Sequence, residues 1–132
     1  MRNVPPKRLT LDEFREWESQ QPSKHELIGG EIVAMTGAKA RHVRVVGRLL
    51  ERLRRHLRGR PCEALSNDLR VTVPLGDAFY PDIVIVCGDD RPGDDDDEVD
   101  SATVVVEVIS PSTAQIDDTR KRWGYLSLPK LV

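Results

Sequence analysis

The sequence predicts an α/β (α+β) fold: a mixed central sheet flanked by helices and preceded by a β-hairpin. Three observations carry that expectation. Between residues 40 and 58, Val43, Val46, Leu50, Leu53 and Leu57 recur at helical spacing, with Leu49 widening the stripe, so one long amphipathic helix is expected there. Three apolar stretches, ALSNDLRVTV, YPDIVIVC and TVVVEVI, follow it and read as strands. The resulting order of helix, hairpin, long helix, three strands and helix suits a sheet with its long helix packed on one face.

Each element has a local reason. Thr10 followed by Glu13 is a capping-box pattern, and Leu11, Phe14 and Trp17 form the apolar side of a short helix that stops before Pro22. In HELIGGEIVAM two apolar arms are joined by Gly29-Gly30, which tolerate the positive φ of a tight hairpin turn. Gly59 and then Pro61 end the long helix. The PLGDAF turn and an acidic loop separate the three strands. Ser110, Pro111, Ser112 and Thr113 supply turn and capping chemistry ahead of a last helix across Ile116, Lys121 and Tyr125.

A chain of 132 residues is the size of one domain, here residues 1–132, large enough to bury a core. Apolar content of 39% against 32% charged residues describes a globular protein rather than a disordered or fibrous one. The N-terminus MRNVPPKRLT has no apolar leader, and no run approaches the length of a bilayer crossing, so a cytoplasmic location with no membrane partner is expected. Cys62 and Cys87 lack metal-type spacing and are expected to be reduced, small buried residues. The net charge of -2 conceals a strong asymmetry. Residues 39 to 60 carry Lys39 and eight arginines against Glu51, whereas residues 89 to 100 carry eight acids against Arg91.

Two acids stand where charge is least expected. Glu107 lies inside TVVVEVIS, and Asp82 heads the apolar run of FYPDIVIVC. A lone buried carboxylate is costly unless it is paired, protonated or bound to metal. Two carboxylates on adjacent strands can share a divalent cation, and hard oxygen donors favour Mg²⁺ or Mn²⁺ over zinc. Pro81 has no N–H, so strand pairing must begin or break there and can aim Asp82 out of the regular ladder. On spacing alone, an edge-of-sheet Asp82 and a Glu107 paired with an arginine explain the pattern equally well.

Beyond these pieces, ELIGGEIVAM, ARHVRVVGRLLERLRRHL, YPDIVIVC, VVVEVISPST and DDTRKRWGY together resemble the Uma-type family of restriction endonucleases, a branch of the PD-(D/E)XK nuclease superfamily. The resemblance runs from about Leu9 to Leu128 and is most specific at Pro81-Asp82 and from Glu107 to Thr113. It implies a restriction-endonuclease-like core and divalent-metal-dependent hydrolysis of phosphodiesters, with Asp82 and Glu107 as the metal-binding, catalytic pair. The superfamily pattern places a lysine two residues after the second acid, where this chain has Ile109. By the same resemblance Lys121, on the following helix, substitutes for it. A cation there could orient water or stabilise charge on the scissile phosphate; pairing with Asp117 at i, i+4 is the ordinary alternative.

Supporting residues are more open. His42 begins the long helix, where it could face the metal or a phosphate or serve in packing. Either Glu26 or Glu31, flanking the hairpin turn, could add a further acid, although solvated strand positions suit both. Asp68 and Arg70 read as a local salt bridge, and Trp123 and Tyr125 as core or interface residues. Arg41, Arg44 and Arg48 belong to an arginine stripe that could track a phosphate backbone or solubilise the helix. The expected partner is nucleic acid, DNA ahead of RNA.

The family usually continues into further strands, whereas this chain ends at Ser127-Leu128-Pro129-Lys130-Leu131-Val132. At least one core strand is therefore expected to be missing, leaving an edge that a homodimer or higher oligomer would cover. Two functional classes follow: a Mg²⁺- or Mn²⁺-dependent nuclease, or a catalytically inactive domain of the same fold acting in nucleic-acid binding or assembly.

Overall fold

The computed structural model describes residues 8–109 and 117–132; of residues 117 and 118 it describes the backbone alone. The turn and capping role expected for Ser110 to Thr113, and the placement of Ile116, lie outside these residues. Helix α1 (Leu11–Glu18) begins with the expected capping box: the Thr10 hydroxyl accepts from the Glu13 N–H at 3.2 Å, and the Glu13 carboxylate accepts from the Thr10 N–H at 3.0 Å. Strands β1 (His25–Ile28) and β2 (Glu31–Ala34) form the hairpin, with Gly29 and Gly30 at φ of 60° and 84° closing the Ile28↔Glu31 pair.

The long helix α2 (Ala40–Leu57) leads into β3 (Cys62–Ser66). Its stripe of Val46, Leu49, Leu50, Leu53 and Leu57 packs on Ala64, Ile83 and Ile85. Then come β4 (Arg70–Thr72), β5 (Ala78–Phe79), β6 (Ile83–Cys87), a single 3₁₀ turn at Gly88–Asp90, β7 (Glu98–Val99), β8 (Val104–Val106) and α3 (Asp117–Leu126).

The mixed α+β architecture is the one expected, but the strands are finer than the sequence suggested. ALSNDLRVTV divides at Asn67 to Leu69 into β3 and β4, which join different sheets. One sheet has the order β2-β1-β5-β4-β7, antiparallel except for the parallel β4–β7 pair. The other has the antiparallel order β3-β6-β8. The stretch FYPDIVIVC passes between the sheets, with β5 in the first, β6 in the second, and the buried Pro81 at the break. That break is the interruption a residue without an N–H imposes. The acidic loop is likewise not all loop: Glu98 and Val99 form β7, because Val99 fills the main core beside Val71 and Phe79.

One expectation is overturned outright. Cys62 and Cys87 are not free thiols but are joined in a disulfide, because the β3–β6 register sets them directly opposite each other, Cα–Cα 4.0 Å apart. Asp68 and Arg70 do not pair with each other either. Asp68 meets Lys24, while Arg70 turns inward and bonds Glu98 at 2.6 Å. Asp68 stands exposed in the turn before β4, whereas Arg70, the first residue of β4, is buried. None of the helices is long and apolar enough to cross a membrane, among the described residues.

Candidate active site: an acid and lysine cluster between the sheets

Asp82 and Glu107 meet because of strand register. Ile83 pairs with Val106 at the start of the β6–β8 ladder, so the next residues outward, Asp82 and Glu107, face each other just beyond the last paired positions. The contact is reciprocal: the Asp82 N–H donates to Glu107 Oε1 at 3.2 Å, and the Val108 N–H donates to Asp82 Oδ2 at 2.7 Å. The second oxygen of Asp82, Oδ1, lies 3.0 Å from His42 Nε2, reached from the first turn of α2.

Lys121 enters from α3. Its ammonium lies 2.5 Å from Glu107 Oε2 and 3.1 Å from both oxygens of Glu26. Of the two hairpin acids, Glu26 therefore joins the cluster. It is buried on β1 and also accepts the Tyr80 N–H at 2.9 Å, whereas Glu31 is exposed and faces Arg8 at 4.0 Å. Tyr125, one turn after Lys121 on the same helix face, brings its hydroxyl within 3.5 Å of Glu107 Oε2. Its ring packs edge-on against Phe79 with centroids 5.0 Å apart, so it is a core residue, as read from the sequence, with a polar tip in the site. Trp123 is largely exposed, and the side chain of Asp117 lies outside the description. Arg41, Arg44 and Arg48 stand exposed along α2, away from the sheet.

The electrostatics follow from three carboxylates facing one ammonium in a partly buried site. Burial pushes the Glu107 carboxyl above its ordinary range; Lys121 opposes this, and Glu26 and Asp82 reinforce it. For Lys121, burial disfavours the charge, but Glu107 and Glu26 outweigh it and hold the ammonium above its usual value. Burial, then the charges of Glu107 and Glu26, pushes the Tyr125 hydroxyl well above 10.

The donor set consists of hard oxygens in anionic excess, which is the chemistry that attracts Mg²⁺ or Mn²⁺. Among the described residues no three such side chains stand at metal-holding distances from one another. The reason is visible in the contacts: the Lys121 ammonium bridges Glu26 and Glu107, and backbone N–H groups engage one oxygen each of Asp82 and Glu107. The donor chemistry fits a divalent cation.

The sequence did not reveal Asp77. Read only as part of the PLGDAF turn, it is fully buried and ties the site's supports together. Its Oδ1 accepts the Gly29 N–H at 3.0 Å and its Oδ2 accepts Arg120 Nε at 2.8 Å, linking the hairpin that carries Glu26 to the helix that carries Lys121. A turn aspartate is common enough to carry no signal of such a role.

Comparison with known proteins bears on this geometry. A family model described as "Uma2: Putative restriction endonuclease" matches residues 11–130. Two uncharacterized proteins of Synechocystis sp. are each 32% identical: sll1609 over 125 residues, covering 93% of this chain and 71% of its own length, and slr1290 over 130 residues, covering 98% and 68%. A crystal structure from Anabaena variabilis, described as "a putative nuclease belonging to DUF820", superposes with a TM-score of 0.68 at 21% identity. That match covers 86% of this chain and 65% of the other, so the chain spans just under two-thirds of that protein's length. At that identity the likeness is one of fold.

Proposed function

This chain belongs to the Uma2 family of restriction-endonuclease-type proteins, and on that premise we propose that it is a divalent-metal-dependent nuclease that hydrolyses phosphodiester bonds of nucleic acid. The observation that carries the reading is the convergence of Glu26, Asp82, Glu107 and Lys121, from four separate segments, on one partly buried point. Buried carboxylates in excess of their counter-charge are unfavourable for folding alone, and functional sites are where such excess is retained.

Asp82, Glu107 and Glu26 would hold Mg²⁺ or Mn²⁺, which when bound supplies Lewis-acid polarisation of a phosphoryl oxygen and lowers the pKa of water. The protein's own groups have definable tasks. Lys121, whose ammonium form Glu107 and Glu26 favour, would place positive charge where negative charge builds on the scissile phosphate. The Val108 amide and His42 fix the two oxygens of Asp82, and the Tyr80 amide and Lys121 fix Glu26. Orientation is thereby set before substrate arrives.

A binding-only domain of the same fold is the second reading, favoured by the lysine that bridges two of the acids. The two part in a cleavage assay on labelled single- and double-stranded DNA and RNA, with Mg²⁺, Mn²⁺ or EDTA. The nuclease reading expects metal-dependent cutting that is lost in Asp82→Asn and Glu107→Gln. Binding without cutting in any metal would sustain the other.

A further inference from the structure

The outer face of α2 and the acidic segment after β6 are two surfaces of opposite charge between which no ion pair forms among the described residues. Helix α2 carries Arg41, Arg44, Arg48, Arg52 and Arg55, all exposed. At 100° per residue these fall within an arc of about 80°, on the side away from the stripe that packs on Ile83 and Ile85, and they span about 20 Å of helix. Among the described residues the only acid paired with an α2 arginine is Glu51, which meets Arg55 one turn away at 3.0 Å. The remaining four have no acidic partner among the described residues.

The counter-surface is the segment 89–100. Glu98 is absorbed by Arg15 and Arg70, Asp90 by Lys130, and Asp97 stands 4.0 Å from Arg70. Asp94, Asp95 and Asp100 are exposed and, among the described residues, form no ion pair, and exposed Asp89 has only the longer-range attraction of Lys130. Clustered like charges of this kind repel one another and are relieved by a complementary surface.

We propose that the α2 arginine row of one copy docks the acidic segment of a second copy of this chain, and that the contact is reciprocated about a two-fold axis. Each copy presents both surfaces, so an isologous arrangement satisfies both at once. A sugar–phosphate backbone also complements arginines, but two features favour an acidic protein segment. The Gly88 N–H donates to the Pro61 carbonyl at 2.8 Å, so the acidic segment starts beside the C-terminal end of α2, where a polyanion following the row would meet Asp89. Val45, exposed among Arg41, Arg48 and Arg52, adds apolar surface that a protein segment covers and a phosphate chain does not.

The test is sedimentation velocity on the full chain at low ionic strength and again in about 0.5 M salt, where surface charges are screened within a few ångströms. The wild-type protein is expected to self-associate in the first buffer and to dissociate in the second. Arg44→Glu/Arg48→Glu and Asp94→Lys/Asp95→Lys should each weaken association at least about tenfold while keeping the wild-type circular dichroism. Mixing the two charge-reversed proteins should restore association, because each then supplies what the other lacks. A wild-type protein that stays monomeric at low salt overturns the proposal, as does a mixture that fails to recover. Loss of binding to a fluorescent oligonucleotide in EDTA by the arginine variant, without recovery on mixing, would also overturn it and assign the row to nucleic acid. None of these readouts depends on catalysis.

Discussion

Glu107 is where burial and charge oppose each other most sharply. Burial disfavours its ionised form, and two further carboxylates add to that cost, while the Lys121 ammonium opposes it. Removing the charge with Glu107→Gln should therefore leave the metal-free fold at least as stable: in EDTA at neutral pH its thermal midpoint is expected to equal or exceed that of the wild type. Lys121→Ala does the opposite, because it strands Glu26 and Glu107 together without a counter-charge. A loss of about 2 kcal/mol is expected in urea unfolding at neutral pH, below the usual cost of breaking a fully buried pair because the site is partly open. These opposite signs separate a functional acid from a structural one. That Asp82 and Glu107 are out of place was legible from two charged residues in apolar runs; that they face each other follows from the β6–β8 register, which spacing alone left open. The choice of Glu26 over Glu31 was not legible, because the two positions look alike in the hairpin and only the docking of β1 beside β5 buries one of them.

The placement of Lys121 depends on how α3 is seated, and two contacts fix that seat. One is the Asp77 link to Arg120 and Gly29. The other is Gly124, where a Cβ would stand 2.7 Å from Cε2 of the fully buried Phe79 ring, so only glycine lets the helix approach this closely. Gly124→Ala is expected to cost about 2 kcal/mol through overpacking, and Asp77→Ala a similar amount by leaving the Gly29 amide and Arg120 unmatched. Chemical denaturation measures both, and a change under 0.5 kcal/mol in either, within the ordinary surface range, would show that α3 is held by something else. The sequence announced the helices α1 and α2 well, since capping and periodicity are local signals. It blurred the strands, because short segments such as Ala78–Phe79 and Glu98–Val99 exist only through partners far along the chain.

For the molecule as a whole, Glu98 joins α1 to β4 and sets a pH dependence. Burial raises its carboxyl pKa, but hydrogen bonds from Arg15 and Arg70 outweigh that and leave it below the ordinary value. A depressed folded pKa contributes stability that is present above the unfolded value and is lost as pH falls through the folded one. Stability should decline from roughly pH 5 downward, and Glu98→Gln should flatten that decline in urea titrations at successive pH values. The disulfide closes a loop across 25 residues of sequence, so its reduction is expected to lower stability by about 3 kcal/mol, read as a fall in the urea midpoint with dithiothreitol. Its cysteines gave no sequence signal, because only strand register sets them opposite each other. The proposed role of Glu26, Asp82, Glu107 and Lys121 is to cut nucleic acid with a divalent metal. The most direct measurement is cleavage of labelled DNA and RNA by the wild type, Asp82→Asn and Glu107→Gln in Mg²⁺, Mn²⁺ and EDTA, with folding verified by circular dichroism. Cutting by the wild type in metal alone and none by either folded variant is expected; cutting in EDTA, or undiminished cutting by Glu107→Gln, would rule that role out.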